Sequence, residues 1–156
     1  MSQQLFAWLC LCSSGFCSLC WSDPHLYYFV NETKTWTDAQ LYCRDHYTDL
    51  ATVDGVQDEK PLVGAVTGGY SQAWIGLHEV QSSWLWSDGS DSNYTNWAAG
   101  KPELSVQQKL CGAVYTQSGE WSNEGCSGTL PFICYEGETP AFRRFTGRLP
   151  NTSIAI

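Results

Sequence analysis

Apolar and polar positions change period several times along the chain, and each change marks an element. The run YYFV, Tyr27 to Val30, is aromatic and β-branched and predicts a first strand. The next stretch, TWTDAQLYCRDHY, switches to helical spacing, with Trp36, Ala39, Cys43 and Tyr47 on one face. Thr35 followed three places later by Asp38 is a helix-start pattern, so a helix is expected over 36–47 with that stripe buried. DLATV reads as a short strand, after which Asp54 with Gln57 three places on can cap a second helix. Pro61 falls inside that helix and predicts a kink or a late start. QAWIGL, residues 72–77, is a buried-strand candidate. In SSWLWSDGS, Trp84 and Trp86 alternate into an Asp88-Gly89 turn.

From Ser87 to Gln108 no period survives. A loop of that length is uncommon in a compact domain unless it has a function. Tyr94 and Trp97 inside it predict that it is anchored to the body. Order returns with CGAVYTQSGEWSNEGC, which reads as a hairpin: a strand at 111–115, a Ser118-Gly119 turn and a strand around Trp121. LPFICYE, residues 130–136, supplies a last strand.

Composition narrows the class. The 156 residues are 43% hydrophobic and 14% aromatic, enough for one core and too short for two domains. The first 22 residues carry an uncharged apolar run from Leu5 to Trp21, with small residues at Ser18, Cys20 and Ser22, and predict a cleaved secretory signal peptide without the usual basic start. No second apolar run is long enough to span a bilayer, so no stable membrane insertion is expected after cleavage. All sixteen acidic residues lie between Asp23 and Glu138 against five basic ones, while the tail carries Arg143, Arg144 and Arg148. So acidic a module is a poor match for phosphate backbones, which removes nucleic acid from the expected partners. Residues 138–156 have no period and read as a basic, unstructured tail.

Without the leader four cysteines remain, Cys43, Cys111, Cys126 and Cys134, an even number that predicts disulfides. The hairpin favours Cys111 with Cys126 among the three connectivities and leaves Cys43 for Cys134. Sequons at Asn31, Asn93 and Asn151 are glycosylation candidates for the same export route. Catalysis finds no support. Cys43 and His46 share one helix, but no nucleophile motif stands near any histidine, and no second ligand pair completes a zinc site.

A helix carrying a cysteine, WIGL, a long aperiodic loop with a central proline, and a C…W-S-N…C…PFIC ending together resemble the C-type lectin-like domain family, over residues 27–136 within a domain at 23–137. The resemblance implies an α+β fold with two helices, two small antiparallel sheets, a long ligand loop and the bridges Cys43–Cys134 and Cys111–Cys126. It implies a secreted module that binds a glycan or a protein outside the cell.

In sugar-binding members of the family a cis proline flanked by acid or amide side chains, a further acid before the third cysteine, and an Asn-Asp pair after a strand tryptophan hold a Ca²⁺ ion that coordinates sugar hydroxyls. On this chain those positions carry Lys101, Pro102, Glu103, Lys109, Ser122 and Asn123. Only Glu103 and Asn123 are good oxygen donors, and Ser122 is a weak one. A unit charge pair about 4 Å apart is worth about 4 kcal/mol at an effective dielectric of 20, and a divalent ion doubles it. Two ammonium groups at ligand positions therefore argue against calcium as a cofactor. The two lysines are expected to pair with Glu103 and with Glu120 or Glu124, holding the loop without metal. Tyr70, Trp84, Tyr94 and Trp97 are candidate stacking surfaces for a sugar, with a place in the core as the competing role of the tryptophans.

Overall fold

A computed structural model describes residues 25–105 and 107–137. The expected leader at 1–22, the basic tail at 138–156 and Asn151 lie outside these residues. The order of elements is β1 (Leu26–Lys34), α1 (Trp36–His46), β2 (Asp49–Leu50), α2 (Val56–Ala65), β3 (Gln72–Val80), β4 (Ser83–Trp86), β5 (Leu110–Tyr115), β6 (Trp121–Gly125) and β7 (Leu130–Glu136).

The fold is α+β. One antiparallel group pairs β1 and β2 with β7, and another pairs β3 with β4 and β5, and β5 with β6. The two expected sheets meet at a single parallel register point, Trp74 against Phe132, which joins them into one seven-stranded sheet. Gly76 makes the neighbouring approach possible. Its N–H donates to the Ala51 carbonyl at 2.8 Å, and a Cβ there would lie 3.1 Å from the Leu50 carbonyl oxygen.

Helix α1 forms as its sequence dictates: the Thr35 hydroxyl accepts from the Asp38 N–H, and Trp36, Ala39 and Cys43 are buried. Helix α2 differs from expectation. Its N-cap is Gly55, and the Asp54 side chain does not cap it; the Asp58 carboxylate instead accepts the Asp54 N–H at 3.0 Å. The helix also runs through Pro61. The carbonyl that a residue-61 N–H would have met belongs to exposed Gln57, where solvent can satisfy it. The strand expected at DLATV shortens to Asp49–Leu50. Strand β3 extends beyond Leu77 to Val80 and turns into β4 through Gln81 and Ser82, both at positive φ.

Two apolar clusters fill the interior. One gathers Val53, Leu62, Ile75, Trp86, Val114 and Trp121, with Tyr94 and Trp97 packed on it. The other gathers Trp36, Leu50, Trp74, Phe132 and the buried cysteines. Both disulfides form as expected, Cys43–Cys134 with Cα atoms 5.3 Å apart and Cys111–Cys126 at 5.0 Å. By the loop-entropy account each contributes about 3 to 5 kcal/mol. No helix among the described residues is long and apolar enough to cross a membrane.

Candidate functional site: the long loop and the face of β6

The loop between β4 and β5 is tied down along its length. Asp88 accepts from the Thr52 hydroxyl at 2.8 Å and the Tyr135 hydroxyl at 2.7 Å, and burial followed by this carboxylate pushes the Tyr135 phenol up. The Tyr94 hydroxyl donates to Glu59; burial, then that contact, pushes its pKa up to about 12. The Asn96 side-chain amide donates to the Gly119 carbonyl at 3.0 Å, and the backbone of residues 96–98 bridges to Trp121 in parallel. Tyr94, Trp86 and Trp97 all meet the Trp121 ring edge to face. Thus Trp97 and Tyr94 serve as anchors, and Trp84 packs edge-on against Trp97. Among the four stacking candidates only Tyr70 is exposed, 37% accessible.

Beyond Gly100 the chain passes through a cis Lys101–Pro102 peptide and lies against β6. The Asn123 side chain holds it there with both ends of its amide, Oδ1 accepting from the Glu103 N–H and Nδ2 donating to the Glu103 carbonyl, each at 2.8 Å. Asn123 is only 4% accessible, so this pair of bonds is shielded from water. The Lys101 ammonium pairs with the Glu103 carboxylate at 3.0 Å. That hydrogen bond, opposed in part by burial and helped by Glu124, holds Lys101 above its ordinary pKa, and it stays charged at neutral pH.

The other expected positions lie elsewhere. Lys109 is exposed and makes no ion pair among the described residues, contrary to the expected pairing with Glu103, Glu120 or Glu124. Its carbonyl accepts the Cys126 N–H, and its charge adds to burial in pushing the His78 imidazole below its ordinary pKa. Ser122 is fully buried and faces away from the loop, because successive side chains of a strand point to opposite faces. Its hydroxyl accepts from Gln72 Nε2 at 2.8 Å, and the same nitrogen donates to Glu124 Oε1 at 3.1 Å. Gln72 and Glu124 thus form a polar set on the second face of β6. Gln72 carries no signal beyond its place at the head of a buried strand, whereas Glu124 is legible as the same-face neighbour of Ser122, two places on.

Two open clefts flank this strand. One of about 280 Å³ lies between Lys101, Glu103, Leu104, Gln108, Asn123 and Glu124. A second of about 350 Å³ lies over Gln72, Gln108, Glu124, Ser127, Thr129 and Leu130. Cys43 is oxidised, so the thiol that a Cys–His pair would need is absent. Asn31 and Asn93 are both exposed.

A bridged helix, a loop closed over a strand tryptophan and a cis proline beside it coincide with a family match: residues 32–136 fit the C-type lectin domain. The chain belongs to the C-type lectin family. Among relatives of this C-type lectin domain, C-type mannose receptor 2 of Homo sapiens is 32% identical over 133 residues, 80% of this chain but 9% of that receptor. The C-type lectin mannose-binding isoform of Oxyuranus scutellatus is 31% identical over 130 residues, covering 78% of this chain and 77% of the relative. Human lithostathine has a similar structure, with a TM-score of 0.65 at 27% identity over 71% of this chain and 82% of that one. The first two relatives are a receptor and a lectin by name.

As a calcium frame the C-type lectin site does not fit. One of its positions carries an ammonium already paired to Glu103, another carries Lys109, and Ser122 faces the opposite side of the strand. Asn123 has both amide atoms engaged by the Glu103 backbone.

Proposed function

We propose that this C-type lectin domain is a secreted, non-catalytic recognition module that binds glycans without calcium. The observation that carries the reading is the Lys101–Glu103–Asn123 network, in which the Lys101 ammonium meets the Glu103 carboxylate and the Asn123 amide is taken up by the Glu103 backbone. In this reading Lys101 supplies the positive charge that an ion would bring, and Lys109 raises the local potential further. Two disulfides, exposed Asn31 and Asn93 and a net charge of −8 support an extracellular module with no affinity for nucleic acid. A protein ligand is the second reading. It is favoured by Leu104, 86% accessible at the rim of the loop cleft, where an apolar side chain has nothing among the described residues to cover it.

The test is a thermal scan of the purified protein with millimolar calcium and with chelator, alongside a glycan array in both buffers. The reading expects the same melting temperature and the same array pattern in each. A calcium-dependent rise in melting temperature that Lys101→Glu does not enhance would overturn it. Glycan signal only in calcium would do so too.

A further inference from the structure

The position at which the family places an asparagine for its ion carries Ser122 here, and its hydroxyl has been drawn into a different task. Ser122, fully buried, accepts one hydrogen of the Gln72 amide nitrogen; the other goes to Glu124 Oε1. One donor nitrogen therefore fixes a carboxylate from below, with Ser122 fixing the donor in turn. Held in this way, Glu124 loses little side-chain freedom when it takes a ligand, and its second oxygen has no hydrogen-bond donor among the described residues.

This fixed carboxylate stands in the wall of the cleft of about 350 Å³ and also borders the loop cleft lined by Lys101 and Asn123. Gln108, Ser127 and Thr129, all exposed, line the same space, and Leu130 adds a half-buried apolar patch. Among the described residues no lysine or arginine lines it, so an anionic ligand would meet Glu124 without compensation. A lysine or arginine side chain brings donors only, so it can engage Glu124 but offers no acceptor to the amide and hydroxyl donors of Gln108, Ser127 and Thr129. A ligand rich in hydroxyl groups both donates and accepts. Two neighbouring hydroxyls can donate to a carboxylate as charge-assisted hydrogen bonds while others accept from the amide and hydroxyl side chains. The volume suits one or two hexose units at the lower end of the range for small-molecule sites.

We infer that this cleft, held by Ser122, Gln72 and Glu124, is the calcium-independent site for a neutral saccharide. The inference rests on the proposed glycan-binding function and assigns it to the second face of β6 in place of the loop frame. Because Gln108 and Glu124 line both clefts, a longer saccharide can extend from this site toward Lys101.

The experiment uses the full chain in chelator on an array of mannose-, galactose- and N-acetylglucosamine-terminated oligosaccharides. Sialylated and sulfated glycans and immobilised polylysine are printed beside them. The strongest neutral oligosaccharide is then titrated against wild type, Glu124→Gln, Ser127→Arg and Lys101→Ala, each checked for an unchanged melting temperature. Ser127 is exposed, so its replacement blocks the cleft without touching the core.

A loss of tenfold or more in affinity for Glu124→Gln and Ser127→Arg, larger than any loss in Lys101→Ala, is the expected result. Wild-type affinity in both cleft variants, with loss only in Lys101→Ala, overturns the cleft while leaving the proposed function standing. Binding confined to polylysine or to acidic glycans overturns the choice of ligand. Absence of glycan binding with and without calcium overturns both proposals.

Discussion

The bridged apolar cluster and the long loop are held by different kinds of interaction. On the side of the second apolar cluster, Trp36, Trp74 and Phe132 close around two covalent bridges, and each side chain there is excluded from water by many neighbours. On the loop side, residues 101–103 rest on one buried amide and one half-covered ion pair. Loss of a group from the first region removes part of a cooperative whole. In the second it releases a segment while the rest of the domain stands. A domain built this way can change what its loop binds at small cost in stability.

Four perturbations bear on this contrast. The largest expected effect is on the covalent side: Cys43→Ala with Cys134→Ala opens a closure spanning 91 residues and should lower stability by about 4 kcal/mol in urea unfolding of the oxidised protein. A loss below about 1 kcal/mol would show that the apolar cluster alone sustains this region. Next, Asn123→Ala strands the Glu103 N–H and carbonyl and should cost about 2 kcal/mol, with faster proteolysis between residues 99 and 107. Cleavage at the wild-type rate would mean that the loop is held by something other than this amide.

Charge reversal at both Lys101 and Lys109 comes third. An exposed pair is worth roughly 0.2 to 1 kcal/mol, so the midpoint should barely move while loop proteolysis in chelator rises. Unchanged proteolysis would remove the lysines from the account of how the loop is held. The smallest effect concerns His78, whose ring lies tilted against Trp36 with centroids 5.1 Å apart and whose pKa is lowered chiefly by burial. A depressed folded-state pKa means that the unfolded chain binds the proton first. Stability from this group is thus present above about pH 6.5 and lost as pH falls below it. His78→Gln should flatten that part of the stability–pH curve, and an unaltered slope would assign it to other groups.

Much of the fold is legible in the chain because it is written in local chemistry. Thr35 and Asp38 announce α1, and WIGL and PFIC announce the strands that meet at Trp74 and Phe132. The misses have specific causes. Pro61 does not break its helix because the carbonyl it deprives lies at an exposed first turn. The Gln81-Ser82 turn carries no glycine, so composition gives no sign of its positive φ values. In the site, Lys101, Glu103 and Asn123 come together because loop and strand are brought side by side, a tertiary fact that spacing alone does not contain. Strand alternation could have separated Ser122 from Asn123 in advance. The Gln72–Ser122–Glu124 contact could not be foreseen, since it joins positions about fifty residues apart.

The pairing of β7 with β1, β2 and β3 has a consequence for biosynthesis. This strand leaves the ribosome last among the described elements, and three others wait for it with unpaired edges. Until residue 134 emerges, Cys43 has no native partner, while Cys111 can already find Cys126 within its hairpin. Neither its strand pairing nor its second bridge can be completed until nearly all of the domain has been made, so wrong strand pairing and wrong thiol exchange compete with the native arrangement through most of its synthesis.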